Sequence, residues 1–204
     1  ALSVDPADAD RVLAATDRGL LASDDGGANW HVLLAASSLV GATDVLRVPG
    51  HPLRLYAALW CGDVCPAGLD RVMRSDDGGT SWYPAAAGLP PSSFDSLLNR
   101  TALALAPSAP EVLYAATTIV EGGGQTSRVY RSDDGGLSWR TTEYRGSYLG
   151  LQAWYDNTLV VHPLDPDTFI AGGVGYVRST DGGLTWLEID PYAGGRDGMG
   201  DDTM

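Results

Sequence analysis

The chain has 204 residues and a net charge of −13, and all 13 of its cationic side chains are arginine. An acidic surface disfavours DNA, RNA and anionic membranes as partners, because phosphate binding depends on cationic neutralisation. No apolar run approaches the roughly 20 residues that cross a bilayer, so direct membrane insertion is not expected.

Short strands appear from the first residues. Apolar side chains alternate through LSV, give way to a polar turn at DPADAD and resume in RVLAAT. The same pattern returns as VLRVPGHPLRLYAAL, LALAPSAPEVLYAAT and LVVHPLDPDTFIAGG. Period-2 alternation broken by Pro, Gly and Asp is a strand–turn–strand signature. A third strand, such as RVYRS at 128–132, leads into a short phrase, and a fourth is expected to leave it from the phrase's Trp.

That phrase occurs four times: ASDDGGANW, RSDDGGTSW, RSDDGGLSW and RSTDGGLTW. Its shared positions are Ser23, Asp25, Gly26, Gly27 and Trp30; Ser75, Asp77, Gly78, Gly79 and Trp82; Ser132, Asp134, Gly135, Gly136 and Trp139; and Ser179, Asp181, Gly182, Gly183 and Trp186. In such a turn a carboxylate accepts backbone N–H groups, and Gly-Gly supplies positive φ without steric cost. The indole covers the hairpin while its N–H finds a nearby acceptor. One short box offers too few oxygens for Ca²⁺, which wants six to eight, so the boxes read as structural staples.

The period is about four strands, the size of a propeller blade. The expected architecture is all-β, a β-propeller with four blades of four antiparallel strands each, at about 1–42, 43–99, 100–156 and 157–204. The spacing places a further turn-opening Pro at about 205 to 211, so these blades are expected to form part of a larger propeller. Repeats two and three carry extra residues between their second and third strands, CGDVCPAGLD and VEGGGQTS. Loops lengthened at one level share a face, which in repeat proteins is often the binding face.

Two cysteines, Cys61 and Cys65, stand in WCGDVCP. Their separation suits a small disulfide ring in an oxidising compartment, and no second pair exists to complete a metal site. His31, His51 and His162 are scattered without ligand spacing. Neither metal nor cofactor is expected.

The phrase S-x-D-x-G-x-x-W, four times at blade spacing, resembles the Asp-box or BNR repeat. The match spans essentially the whole chain and looks like the propellers of sialidases, xyloglucanase-type glycoside hydrolases, sortilin-like Vps10 domains and photosystem II assembly factors. LVVHPLDPDTFIAGGVGYVRSTDGGLTW most resembles the xyloglucanase and Vps10-like branch. The resemblance implies the fold strongly and an activity weakly, because in such proteins the boxes usually lie away from catalytic sites.

Glycoside hydrolysis needs two carboxylates about one bond, and nothing in the sequence marks a pair among 22 Asp and four Glu. Glu143, Tyr144 and Arg145 have sialidase-type chemistry, but neighbours on a strand point to opposite faces. The most suggestive unrepeated stretch is EYRGSYLGLQAWYDN. Its Tyr144, Tyr148, Trp154 and Tyr155, with Arg145, Asp156 and the distant Trp60, could stack on sugar or anchor a protein. The alternative is that these rings pack between blades. The expected function is an extracytoplasmic, secreted or periplasmic scaffold that binds a glycan or protein, with a subunit of a larger extracytoplasmic complex as a further expectation. The competing expectation is a glycoside hydrolase whose catalytic carboxylates lie partly outside these residues.

Overall fold

A computed structural model describes residues 1–35, 40–61, 68–90, 100–121, 124–150 and 152–189. Among these residues sixteen strands form four antiparallel sheets of four, each in simple sequence order. The first sheet holds β1 (Leu2–Asp5), β2 (Asp8–Thr16), β3 (Gly19–Ser23) and β4 (His31–Ala35). The second holds β5 (Val40–Val48), β6 (His51–Cys61), β7 (Val72–Ser75) and β8 (Tyr83–Pro84). The third holds β9 (Ala102–Ala106), β10 (Ala109–Glu121), β11 (Gly124–Ser132) and β12 (Arg140–Thr141). The fourth holds β13 (Thr158–Val161), β14 (Phe169–Gly172), β15 (Tyr176–Ser179) and β16 (Leu187–Ile189). No helix occurs among the described residues. The fourth strand of each blade starts at the residue after the box Trp rather than at the Trp, because the indole folds back over its own turn.

Successive blades stack face to face. The innermost strand β9 packs against both β5 and β13, and β5 packs against the first sheet. Each junction is an apolar layer. Leu13, Leu20 and Ala22 meet Leu55, Ala57 and Met73 between blades one and two. Tyr56, Ala58 and Val72 meet Leu103, Leu113 and Ala115 between blades two and three. Tyr114, Ala116 and Val129 meet Val161, Phe169 and Val177 between blades three and four. Here strand periodicity becomes packing: alternate residues of a strand serve opposite junctions, so a central blade is apolar on both faces. A fully buried Leu or Phe contributes about 1.5–3 kcal/mol, so the three layers dominate the stability.

Directly paired residues define one row across each sheet. The rows are Ser3–Leu13–Ala22–His31, Leu46–Tyr56–Arg74–Tyr83, Ala104–Tyr114–Arg131–Arg140 and Val160–Ile170–Arg178–Leu187. The first three rows face the next blade in chain order, and each of the four contains the residue just before the box Ser.

Candidate functional site

Simple up-and-down order sends the turns between strands one and two, and those between three and four, to one edge of every blade. The connections between strands two and three, and from strand four to the next blade, emerge at the other edge. The boxes occupy the first edge. In each, the Ser hydroxyl donates to the Asp carboxylate at 2.8 Å. It also accepts the N–H of the second Gly at 2.8–2.9 Å. The other carboxylate oxygen takes a side-chain donor from Asn29, Ser81, Ser138 or Thr185. Hydrogen bonds from the Ser81 and Thr185 hydroxyls and amides hold the Asp77 and Asp181 carboxyls down at about 2. The side-chain amide of Asn29 leads a similar lowering at Asp25. A carboxylate whose oxygens are engaged within its own turn has little capacity left for a substrate. Among the described residues, no three His, Cys, Asp or Glu side chains cluster as a metal site.

The opposite edge carries unspent chemistry. A polar band runs across blades two, three and four where their inner strands begin. The Thr43 hydroxyl donates to the Thr101 carbonyl at 3.1 Å. Asp44 accepts the amides of Val45 and Leu103, both at 2.8 Å. The Asn157 amide donates to the carbonyls of Arg100 and Ala116 at 3.2 and 2.8 Å. The fully buried Arg71 donates to the Thr117 hydroxyl at 2.8 Å, and that hydroxyl meets the Arg100 carbonyl at 3.3 Å. Burial raises the Asp44 carboxyl above the ordinary range, although two amides pull the other way. The Thr101 and Thr118 hydroxyls and the Asn157 carbonyl oxygen have no hydrogen-bond partner among the described residues.

The expected ligand-binding residues divide in two. Tyr144 and Tyr148 are 5% and 4% exposed and belong to the junction between blades three and four. Their rings lie 5.4 Å apart at 63°, and Tyr144 lies 5.0 Å from the ring of Trp186. These two rings therefore pack between blades rather than offering a surface for sugar. The reason is apolar: a loop crossing from one blade to the next covers the junction with its largest side chains. Arg145 is exposed, and its guanidinium donates to the Thr142 and Tyr144 carbonyls at 2.7 and 2.9 Å, which anchors that same loop.

Trp154 and Tyr155 do reach solvent, at 48% and 68% exposure, with ring centroids 5.5 Å apart. The Arg100 guanidinium donates to the Tyr155 carbonyl. This holds the aromatic pair beside the polar band, because Asn157 bonds the Arg100 carbonyl from the other side. Asp156, half-buried, stands between them. Trp60 is half-buried near the end of β6, at the same edge. Cys65 and the side chain of Cys61 lie outside the described residues, as does most of the CGDVCPAGLD insertion.

The residues not singled out in the sequence are Arg100, Asp44 and Asn157. Asp44 had one signal, a lone acid inside the apolar strand ATDVLRV. Arg100 and Asn157 sit in polar loop sequence and acquire meaning only when blades three and four meet.

No protein-family model matches the chain, and no curated protein matches it. Solved structures do. An ancestral GH74 enzyme superposes over 94% of this chain and 24% of its own, at 21% identity and a TM-score of 0.67. The GH74 xyloglucanase from Xanthomonas campestris matches 90% of this chain and 36% of its own, at 20% identity and a TM-score of 0.45. A Trypanosoma rangeli sialidase mutant displaying trans-sialidase activity matches 87% and 35%, at 17% identity and a TM-score of 0.47. The chain thus spans about a quarter of the GH74 enzyme that it superposes on best of these three. The four sheets and the first superposition define the class: the fold is a β-propeller, similar over these blades to that of the ancestral GH74 enzyme.

Proposed function

We propose that this chain is a glycan-binding scaffold of an extracytoplasmic propeller, with Trp154 and Tyr155 as its sugar-facing platform. The carrying observation is their exposure beside a polar band on the edge away from the boxes. Sugar faces are apolar and their rims are hydroxyl-rich, so an exposed ring beside hydrogen-bonding groups meets both parts. Arg100 and Asp156 supply a donor and an acceptor at that rim. β-Glucans of the xyloglucan type are the first ligands to try, in view of the fold shared with GH74 enzymes.

Titration with xyloglucan oligosaccharides, followed by tryptophan fluorescence, tests this reading. Saturable quenching that Trp154→Ala abolishes, with no release of reducing ends, is the expected result. Absence of binding across a glycan array overturns it.

A glycoside hydrolase is the second reading, and one observation favours it: Asp44 has a raised carboxyl on the same edge. Both of its oxygens, however, are committed to backbone amides. Reducing-end release that disappears in Asp44→Asn establishes this reading instead.

A further inference from the structure

The polar band grips the second strand of blade three from both sides. Along β10, Leu113 and Ala115 belong to the layer shared with blade two, and Tyr114 and Ala116 to the layer shared with blade four. Alternation therefore turns Thr117 toward blade two. Arg71 meets it there, and its Nη1 donates to the Thr117 hydroxyl at 2.8 Å. The Arg71 backbone is held in the second sheet, since its carbonyl accepts the Leu59 amide at 2.8 Å. From the other side, the Asn157 side-chain amide donates to the Ala116 carbonyl at 2.8 Å.

Both grips converge on one atom. The Thr117 hydroxyl donates to the Arg100 carbonyl at 3.3 Å, and Asn157 donates to the same carbonyl at 3.2 Å. A carbonyl oxygen has two lone pairs, so both are engaged. This fixes the backbone of Arg100, whose guanidinium donates to the Tyr155 carbonyl. Tyr155 belongs to a tight turn in which its own amide and that of Asp156 donate to the Gln152 carbonyl, at 2.8 and 3.0 Å. Trp154 lies inside that turn. Both rings are exposed, so packing does little to orient them. The anchors at Arg100 and Asn157 set the direction of the turn instead.

We propose that Arg71, buried in blade two, is a positioning residue for the Trp154–Tyr155 platform and acts through Thr117 and Arg100. The proposal rests on the reading of that pair as the sugar-facing surface. A guanidinium is costly to bury. Here its charge polarises the Thr117 hydroxyl and strengthens the bond which that hydroxyl makes to Arg100. The links run from blade two, through blade three, to the connection that enters blade four.

Fluorine NMR of the chain labelled with fluorotryptophan tests the proposal without any glycan. The Trp154 resonance is identified by its loss in Trp154→Phe. Thr117→Val, which removes the hydroxyl and keeps the shape, should shift or broaden that resonance and leave those of the four box tryptophans in place. Thr117→Ser should restore it. Where Thr117→Val does not fold, Arg100→Met cuts the last link at a half-buried side chain and should change Trp154 in the same way. Affinity for xyloglucan oligosaccharides should fall about fivefold or more in Thr117→Val, because fewer molecules then hold the binding geometry. A Trp154 resonance unchanged in the folded variant overturns the proposal. So does a change shared by the box tryptophans, which marks general loosening. A chain that binds no glycan overturns the sugar-platform reading, while the Trp154 resonance still decides whether the relay from Arg71 orients the turn.

Discussion

The indole of Trp139 donates its N–H to the carbonyl of Ala85, in the preceding blade, at 2.8 Å. In the other three boxes the equivalent indole donates to the second glycine of its own turn, at 2.9–3.0 Å. The Trp139 backbone amide likewise donates to Ala87, at 2.8 Å. Of the four box indoles only this one bonds to the neighbouring blade, and Trp139 is 6% exposed against 41% for Trp30. Four nearly identical phrases thus carry different energetic weight, set by what lies behind them.

Trp139→Phe should destabilise the protein by about 2–3 kcal/mol, since it strands a buried carbonyl and removes packed area. Trp30→Phe should cost only about 0.5 kcal/mol, the range for exposed positions. Urea unfolding of the two variants measures the difference directly.

Glycines that look alike should also separate. Gly135 has φ of 69°, and a methyl group there would meet the Glu111 carboxylate and the Arg74 guanidinium. Gly50 has φ of 76° with nothing within 4 Å. Gly50→Ala should cost about 1 kcal/mol of backbone strain. Gly135→Ala should cost roughly 3 kcal/mol, because displacing Arg74 also breaks a junction. Thermal melts compare the pair.

Tyr148 is buried, and its hydroxyl has no hydrogen-bond partner among the described residues. Removing an unpartnered polar atom from an apolar site is favourable. Tyr148→Phe should leave stability unchanged or raise it by about 1 kcal/mol, as chemical denaturation can show. Glycan binding should be unaffected, whereas Trp154→Ala should abolish it.

Acid should weaken the boxes within a defined window. Asp77 and Asp181 titrate at about 2 in the folded chain because hydroxyl and amide donors favour the carboxylate. In the unfolded chain they titrate near 3.9. Depressed folded values mean that this contribution is fully present above pH 4 and is lost as pH falls through 2. Asp44 acts in the opposite sense: its raised value favours the protonated folded form, so it opposes stability as pH rises past 4. Stability measured from pH 5 to 2 should fall, and Asp77→Asn should flatten the lower part of that curve.

The four-strand blades and their stapled turns were legible in the chain, because alternation, turn residues and the boxes are local signals. A strand needs only its own side-chain order to show two faces. The sequence alone thus determined the repeat, the sheet order and the Ser–Asp–Gly hydrogen bonding inside each box. It did not decide between exposed and buried for the aromatics of EYRGSYLGLQAWYDN, since all four occupy one irregular loop without period. Tertiary packing made that choice: Tyr144 and Tyr148 roof the junction of two blades, while Trp154 and Tyr155 project past it. The pairing of Arg131 with Asp167, 36 residues apart, also exists only once blades three and four are stacked. Such contacts depend on which face of one sheet meets which edge of the next. Local periodicity carries no information about that.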